Sequence, residues 1–555
     1  MHTKLNPTAC FKSLIQLSFT TKIILLFITG TSWHIILGIQ GIDGTDVGFC
    51  NTFYQLFFTK PDANTFNYIY YLTGLLGGLW DNLMGEYGLL GFRIFEAVTL
   101  TTAIGILTIT FRSILTDNQC LLAVGLSFLF PCFNITFHYN TLSFLLIAVS
   151  LFCFKKALYK EYDIWLVACG FMLGLSFMAR IVNVTLFSLI FIPILFYSRQ
   201  HLYYKSVLMA VGIICGLLCV ATIMFSLNHH NIYIHAIQEA FFTFSGKEAT
   251  HSHTELFSRY MHSFVNITVQ MLALVAIGYI YYITSHKSWH IKYSFAILSS
   301  AILAVLAYTS LPYLTMLSLC ILIIIGSVKK NSLAEKETFV CLYCLSVTLI
   351  YPFGNDIGIQ GIFHWCAGLL IFPAISRMNT NRTEITRKAT YYALLLIGIM
   401  AILRTSLNVY GEDVSRAYCT KYINNRRLNV FTSTEKARNY TRHIAAIEQH
   451  LGKSRLLFIT NQISELYYAT NSLPYEGHTQ PIIYQGEQLT WRLDERLHHF
   501  MEFPLIAMFY TSHISKETAE IQRTTRLWMQ KYKYRKVYDD GDMRLYKAIQ
   551  DYETH

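Results

Sequence analysis

The chain has 555 residues, of which 53% are hydrophobic and only 14% are charged, and its formal net charge is +11. Soluble domains usually carry about 25% charged residues, so this composition excludes an ordinary soluble protein. The positive charge does not gather in the basic face of a nucleic-acid-binding protein, and an excess of Lys and Arg is typical of the cytoplasmic side of membrane proteins.

Long apolar runs recur from residue 22 to residue 406. Because a bilayer core about 30 Å thick takes ~20 apolar residues per helix, the pattern predicts about thirteen transmembrane helices. They lie near residues 22–41, 88–111, 119–134, 139–154, 163–179, 184–198, 206–227, 263–284, 293–309, 312–328, 338–352, 363–376 and 389–406. The fold class is therefore an α-helical polytopic membrane protein.

The charges between these runs predict the orientation of the chain. If the N-terminus is cytoplasmic, 18 Lys and Arg fall in the inside segments, which are 1–22, 112–118, 155–162, 199–205, 285–292, 329–337 and 377–388. The opposite connections before residue 407 hold only Lys60, Arg180, Lys247 and Arg259. Since positive residues favour the cytoplasmic side, we expect a cytoplasmic N-terminus, and an odd number of spans then puts the C-terminus outside.

Two outer loops are long, at about 42–87 and about 228–262. The first opens with Asp43 and Asp46, at the mouth of the first helix. The second mixes aromatic residues with His and charge, and its apolar spacing fits a helix lying in the membrane interface. An ordinary amphipathic connector is the alternative for the second loop.

The last part of the chain differs in composition. Residues 1–407 form the predicted transmembrane domain, and residues 408–555 predict a small α/β domain on the outer side. Strand-like runs occur at 456–460 and 504–510, and a helical stretch follows each, around 461–470 and 515–532. Residues 536–548 predict a hairpin with its turn at Asp540 and Gly541.

Ionisable side chains near one membrane surface are candidates for function. A carboxylate such as Asp46 could act as general base on a hydroxyl or hold a divalent metal, and Arg180 could neutralise a phosphate. Each has a structural alternative: helix capping for Asp43 and Asp46, snorkelling for Arg180, and simple hydrogen bonding for His138. Arg93 could also pair with Glu86 or Glu96.

Several stretches resemble the C-type glycosyltransferase superfamily, in particular bacterial members of the protein mannosyltransferase and aminoarabinose transferase group. The similarity begins with a first helix followed by a long outer loop that opens with Asp, as in TDVGF. It continues in YIYYLTGLLGGLWDNLMGEYGLLGFRIFEA (68–97), FHYNTLSFLLIAVSLF (137–152), GFMLGLSFMARIVNV (170–184) and YPFGNDIGIQGIFHW (351–365). These motifs span most of residues 20–400.

The resemblance implies a catalytic acid in the first outer loop. Asp46 best matches that position and Asp43 is second, while Val47 stands where Glu is usual. A divalent ion, Mg²⁺ or Mn²⁺, would bind at Asp43 and Asp46. The further candidates are Arg180, Lys247 and Arg93 for the donor phosphate, and His138, Asn140, Asp356, His364 and Glu86 for the substrates.

The implied activity is transfer of a hexose or pentose from a polyprenyl-phosphate donor to a periplasmic or lipid-anchored glycan. The enzyme would lie among the lipids of a bacterial inner membrane, with its C-terminal domain in the periplasm. Two other functions stay open. A transporter or flippase for lipid-linked glycans would be expected to carry internal repeats and mid-membrane charges. A glycan ligase or polymerase would use Arg and His in a large outer loop.

Overall fold

A computed structural model describes most of the chain. The described residues are 17–130, 136–160, 162–195, 202–245, 253–285, 289–309, 312–327, 336–353, 358–359, 365–378, 384–481, 484, 486–510 and 515–549. Three of the candidate residues, Lys247, Asp356 and His364, lie outside this part of the chain.

The first three quarters of the described chain are helical. The α-helices are α1 (Phe19–Gly38), α2 (Asp46–Leu56), α3 (Tyr71–Met84), α4 (Gly88–Phe111), α5 (Asp117–Leu129), α6 (Tyr139–Lys160), α7 (Ile164–Ala179), α8 (Leu202–Ser226), α9 (His230–Ser245), α10 (His253–Ser285), α11 (Trp289–Thr309), α12 (Pro312–Ser327), α13 (Lys336–Ile350), α14 (Gly368–Arg377) and α15 (Glu384–Leu407). Short 3₁₀ segments at Pro61–Asn64, Phe66–Tyr70 and Gly85–Tyr87 join α2, α3 and α4.

Several of these helices are suited to a membrane. Within the described residues, six helical segments are long and apolar enough to cross one. A seventh is added if Tyr293–Tyr308 and Pro312–Ser327, which meet at an angle of 118°, form one span. The chain is therefore an integral membrane protein. The larger predicted number includes shorter apolar helices such as Ile164–Ala179, and both that number and the orientation stay predictions.

Glycines allow α7 and α8 to pack backbone against backbone. A Cβ added at Gly170 would lie 2.0 Å from the Met209 carbonyl oxygen, and one at Gly174 would lie 2.4 Å from that of Ile213. Small residues four apart let membrane helices approach closely and gain van der Waals contact. The carboxyl end of α7 is thereby fixed, and the next residue, Arg180, has an extended backbone that ends the helix.

The C-terminal region, residues 408–549, contains a mixed sheet. Its elements are β1 (Lys421–Tyr422), β2 (Phe431–Thr432), α16 (Thr434–His450), β3 (Leu456–Ile459), α17 (Glu465–Thr470), β4 (Leu473–Pro474), α18 (Gly486–Phe500), β5 (Leu505–Phe509), α19 (Lys516–Lys531), β6 (Tyr534–Asp539) and β7 (Met543–Ala548). The five-stranded sheet has the order β4-β3-β5-β7-β6. β3 is parallel to β4 and β5, and β7 is antiparallel to β5 and β6. The predicted strands at 456–460 and 504–510 and the predicted hairpin are confirmed.

The C-terminal region packs on the first loop, which we define as residues 41–87. The Gly41 N–H donates to the Phe431 carbonyl oxygen at 2.8 Å, and just beyond the loop, in α4, the Leu89 N–H donates to that of Arg427 at 2.7 Å. Apolar side chains of both parts, including Val47 and Leu466, belong to one buried cluster. The first loop is therefore a folded layer between the membrane helices and the sheet.

Helix α9, in the second long loop, is amphipathic as expected. Tyr233 and Ala236 are buried in the cluster that the first loop shares with the C-terminal region, whereas Phe241 is 70% exposed. Its Glu239 forms a buried ion pair with Arg492 of α18 at 3.2 Å. The position of α9 in a membrane interface stays a prediction.

Candidate functional site

Asp43 holds the start of α2. One of its carboxylate oxygens accepts hydrogen bonds from the Thr45 N–H at 3.2 Å and the Thr45 hydroxyl at 2.8 Å, and the other accepts from the Val47 N–H at 3.2 Å. Asp side chains commonly bond the backbone just ahead of them in this way, and a negative charge favours a helix N-terminus. Since three donors already use the Asp43 oxygens, the pair does not fit the two-carboxylate metal site considered above, and we assign no step to a metal.

Asp46 is the first residue of α2 and lies three residues after Asp43. Its side chain is half-buried, and one oxygen accepts from the Gln480 amide at 3.4 Å. The charge of Asp46 also acts on the Cys50 thiol, one turn further along α2. Burial, together with this charge, raises the pKa of Cys50 well above its ordinary value. The thiol therefore stays protonated and is not a nucleophile at neutral pH.

Tyr139, at the start of α6, is in contact with Arg180. The Arg180 guanidinium lies 5.7 Å from the centre of the Tyr139 ring. Tyr70 stacks on Tyr139, with ring centres 4.3 Å apart and planes 10° from parallel, and the Phe49 ring of α2 lies 6.0 Å from the Tyr70 ring. A row of aromatic rings therefore connects α2, the helix that begins with Asp46, to the Arg180 guanidinium.

Arg180 is buried, with 3% of its surface exposed. Its guanidinium lies 5.1 Å from the Tyr351 ring centre and donates to the Tyr351 carbonyl oxygen at 3.5 Å. The Tyr351 hydroxyl in turn donates to the Asn140 side-chain oxygen at 2.7 Å. Cation–π contacts of this kind hold a guanidinium in place without neutralising it. The side chain is thus fixed inside the protein, which differs from the snorkelling alternative.

His138 and Asn140 flank Tyr139 in the chain and are both buried. The His138 ring stacks on Trp365 with centres 5.4 Å apart, and its Nδ1 atom accepts from the Asn140 N–H at 3.3 Å. The Asn140 amide nitrogen has no hydrogen-bond partner within the described chain. Because buried polar atoms are normally paired, this nitrogen is an unusual buried donor, and the predicted substrate role of Asn140 stays a prediction.

Two further candidates, Arg93 and Glu86, make contacts of a different kind. Arg93 donates to the carbonyl oxygens of Gly38 and Gly41, so its charge stabilises the carboxyl end of α1. Glu86 is exposed and pairs with Arg426 at 3.4 Å. Neither contact is one that the sequence indicated, and the predicted substrate roles of both residues stay predictions.

Glu465 brings a second carboxylate to the first loop. It begins α17, its side chain is completely buried, and its N–H donates to the Gly44 carbonyl oxygen at 3.2 Å. Burial first, and then the charge of Asp43, raise its pKa to about 8, although Arg93 and Lys436 act in the opposite direction. At neutral pH the folded protein therefore holds Glu465 mainly as the uncharged acid.

This raised pKa predicts a pH-dependent stability. An unfolded Glu titrates near 4.5 and the folded one near 8, so the folded state binds the extra proton between these values. The free energy of unfolding should be highest below pH 4.5, fall as the pH rises to about 8, and stay lower above it. We expect Glu465→Gln to remove this fall, measured as the unfolding midpoint from pH 4 to 9. The exposed Glu487→Gln is the control, and equal pH dependence in both variants would contradict the prediction.

A further cluster of possible metal ligands lies within the C-terminal region. His443, Asp540 and Asp542 bring ligand atoms within 4.8 Å of one another. However, Arg442 pairs with Asp540 at 2.7 Å and with Asp542 at 2.6 Å. The negative charge is therefore balanced by the protein itself, and the group closes the β6–β7 hairpin.

The sequence did not single out Tyr70, Tyr139, Tyr351 or Gln480. The aromatic richness of FNYIYY and FHYNT was the available signal for the tyrosines. Gln480 carried none, because its contact with Asp46 spans 434 positions in the chain.

No protein-family model matches the chain, and no curated protein matches it. Among solved structures it is similar to ArnT from Cupriavidus metallidurans bound to undecaprenyl phosphate, with 14% identity, a TM-score of 0.43, and coverage of 95% of this chain and 98% of that one. It is also similar to the archaeal oligosaccharyltransferase AglB from Archaeoglobus fulgidus in complex with an inhibitory peptide and a dolichol-phosphate, with 10% identity, a TM-score of 0.49, and coverage of 95% and 74%.

Proposed function

We propose that this protein is a membrane glycosyltransferase that moves a sugar from a polyprenyl-phosphate donor to the hydroxyl of a glycan or lipid-anchored acceptor. The observation that carries the proposal is the aromatic connection between α2, which begins at Asp46, and the buried Arg180. Phe49 of α2 contacts Tyr70, Tyr70 stacks on Tyr139, and Arg180 lies over the Tyr139 ring. A carboxylate and a buried guanidinium provide a base for a hydroxyl and a cation for a phosphate. The apolar helices around them suit a donor with a lipid tail.

In the proposed reaction, the acceptor hydroxyl oxygen attacks the anomeric carbon as the bond from that carbon to the phosphate oxygen breaks. The hydroxyl proton passes to Asp46, and the bonding electron pair leaves with the polyprenyl phosphate. Arg180 stabilises the negative charge that develops on the leaving phosphate. Attack from the side opposite to the leaving group inverts the anomeric centre.

The stacked rings of Tyr70 and Tyr139 provide a surface for the sugar. Their planes are nearly parallel, and the apolar face of a sugar ring packs well against such aromatic side chains. His138 and Asn140 flank Tyr139 in the chain and would bond sugar hydroxyls. Pentose and hexose donors both remain candidates for this surface.

The direct test uses the full chain in lipid nanodiscs with a panel of radiolabelled polyprenyl-phosphate pentoses and hexoses. If the protein transfers sugar, we expect polyprenyl phosphate to be released together with a labelled acceptor. Without an acceptor, we expect slow hydrolysis of the donor by water. The matched inactive protein is Asp46→Asn. Movement of intact donor between leaflets without cleavage would overturn the proposal in favour of a flippase.

Arg180 gives a separate prediction about the donor. A hydrogen bond to a charged group contributes about 1.5–3 kcal/mol, so we expect Arg180→Gln to raise KM for the polyprenyl-phosphate donor by about 10- to 100-fold. The acceptor KM should change little. Arg180→Lys keeps the charge but loses the planar contacts with the two tyrosines. Its KM for the donor should lie between those of the wild type and Arg180→Gln.

The control for this series is Arg426→Gln, because Arg426 is exposed and far more hydrated than Arg180. Unfolding midpoints measured alongside the kinetics identify any loss of fold. An unchanged donor KM in a folded Arg180→Gln protein would contradict the assignment of this residue to the phosphate.

A further inference from the structure

One segment of the C-terminal region, Glu476 to Gln480, packs directly on the first loop. Gly477 turns the chain with φ +81°, and a Cβ there would lie 2.8 Å from the guanidinium nitrogens of both Arg492 and Arg496. Arg492 donates to the Glu476 carbonyl oxygen at 2.9 Å, while Arg496 donates to that of Asp62, in the first loop, at 2.6 Å. The two arginines therefore fix this turn against the first loop.

His478 anchors the segment between two aromatic rings. Its ring centre lies 5.3 Å from that of Phe49 and 4.8 Å from that of Phe66, the latter at 90°. Burial lowers the pKa of His478 to about 3, so the ring is neutral and packs as an apolar group. Phe49 is on α2, three residues after Asp46, so the segment contacts the helix that carries Asp46.

The backbone on both sides of this anchor is bonded as well. The Nδ1 atom of His478 accepts from the Gln480 N–H at 2.9 Å, and the Thr479 carbonyl oxygen accepts from the Ser464 hydroxyl at 3.0 Å. These bonds fix the backbone from which the Gln480 side chain extends. Its amide nitrogen then lies 3.4 Å from the Asp46 Oδ1 atom.

We propose that Gln480 is a positioning residue for Asp46, supplied by the C-terminal region, so that this region completes the base of the transferase. The inference rests on the proposed function of Asp46. A distance of 3.4 Å is long for a hydrogen bond, and such bonds often shorten only when substrate is bound.

The amide is chemically suited to this task. A carboxylate base must be ionised and must point at the hydroxyl, and a hydrogen bond to the charged form favours both. A Lys or Arg in the same place would form an ion pair and make the carboxylate a weaker base. A neutral donor orients the carboxylate and leaves its negative charge available.

The test compares Gln480→Met, which keeps the size but has no donor, with Gln480→Glu, which keeps the shape but adds negative charge. Because small misplacement of a reacting group is costly, we expect kcat to fall by about 10- to 100-fold in Gln480→Met, with the donor KM unchanged within about two-fold. In Gln480→Glu the acidic limb of the pH–rate profile should move up by about one pH unit, because a like charge disfavours the ionised base. Gln530→Glu, at an exposed position of α19, is the charge-matched control and should match wild type.

The outcomes separate the two proposals. If Asp46→Asn is inactive but both Gln480 variants keep the wild-type kcat and pH profile, the positioning role is overturned and the function of Asp46 stands. If Asp46→Asn is fully active, both proposals fail. A loss of fold in Gln480→Met, read from the unfolding midpoint, leaves the pH shift of Gln480→Glu to decide, since a purely structural role would lower activity equally at every pH.

Discussion

Replacing Asp46 with asparagine is expected to lower the rate of sugar transfer by about 10²- to 10⁴-fold, the range that a positioned general base usually contributes. Asn has the same shape, so the Gln480 contact and the start of α2 should be kept. The helix loses only a favourable charge at its first turn, which contributes about 0.3–1 kcal/mol. The measurement is kcat for release of polyprenyl phosphate, taken with the unfolding midpoint of the same preparation.

Asp43→Asn is the matched comparison, because it changes the same chemical group three residues away. Asn is as good as Asp at bonding the backbone of a helix start, and the Thr45 and Val47 bonds can be kept in part. We therefore expect this variant to retain most of its transfer activity. Equal losses in the two variants would mean that both carboxylates act in the reaction, and equal retention would remove Asp46 as the base.

The second large effect is expected at Gly48, on the face of α2 that contacts α17. A Cβ added there would lie 2.0 Å from the Glu465 backbone nitrogen and 2.4 Å from its Cα. Backbone atoms cannot move aside as a side chain does, so Gly48→Ala must separate α2 from the C-terminal region. Overpacking of this kind costs about 1–3 kcal/mol or more. We expect strong loss of transfer and faster proteolysis of the chain after residue 408.

Gly105→Ala provides the control for that variant. Gly105 also lies within a helix, α4, but the nearest atom to an added Cβ is 3.8 Å away, on Phe27. This substitution should leave activity and proteolysis unchanged, since Ala favours a helix over Gly by about 1 kcal/mol. Normal activity of Gly48→Ala would show that the contact between α2 and α17 is not needed for transfer.

The helical part of the fold was predictable because membrane helices leave long apolar runs. The runs at 139–154 and 389–406 correspond to α6 and α15. The run at 184–198 corresponds to the 3₁₀ helix Ile181–Leu195. Hydropathy cannot distinguish this segment from an α-helix, since both bury an apolar sequence. The small sheet was predictable from its short, buried strands and from the Asp540–Gly541 turn.

The site was only partly predictable. Charge distribution predicted an outer position for Asp46 and Arg180, and the family resemblance favoured Asp46 as the acid. Nothing in the sequence indicates that Arg180 lies against Tyr139. Glu86 lies elsewhere, because an exposed pair with Arg426 forms from residues far apart in the chain. Gln480 was missed for the same reason, since contacts between distant segments depend on tertiary packing and leave no local pattern.

The packing of the C-terminal region on the first loop has a consequence for the order of synthesis. Asp46 leaves the ribosome 434 residues before Gln480, its partner in the folded protein. Until Gln480 has been synthesised, the first loop lacks the C-terminal region that packs on it. Its apolar side chains and the Asp46 carboxylate are then exposed. A chain that stops early, or whose last segment fails to fold, would thus lack the contact between Gln480 and Asp46. Under the proposed function, we expect transfer activity only from chains whose C-terminal region has folded on the first loop.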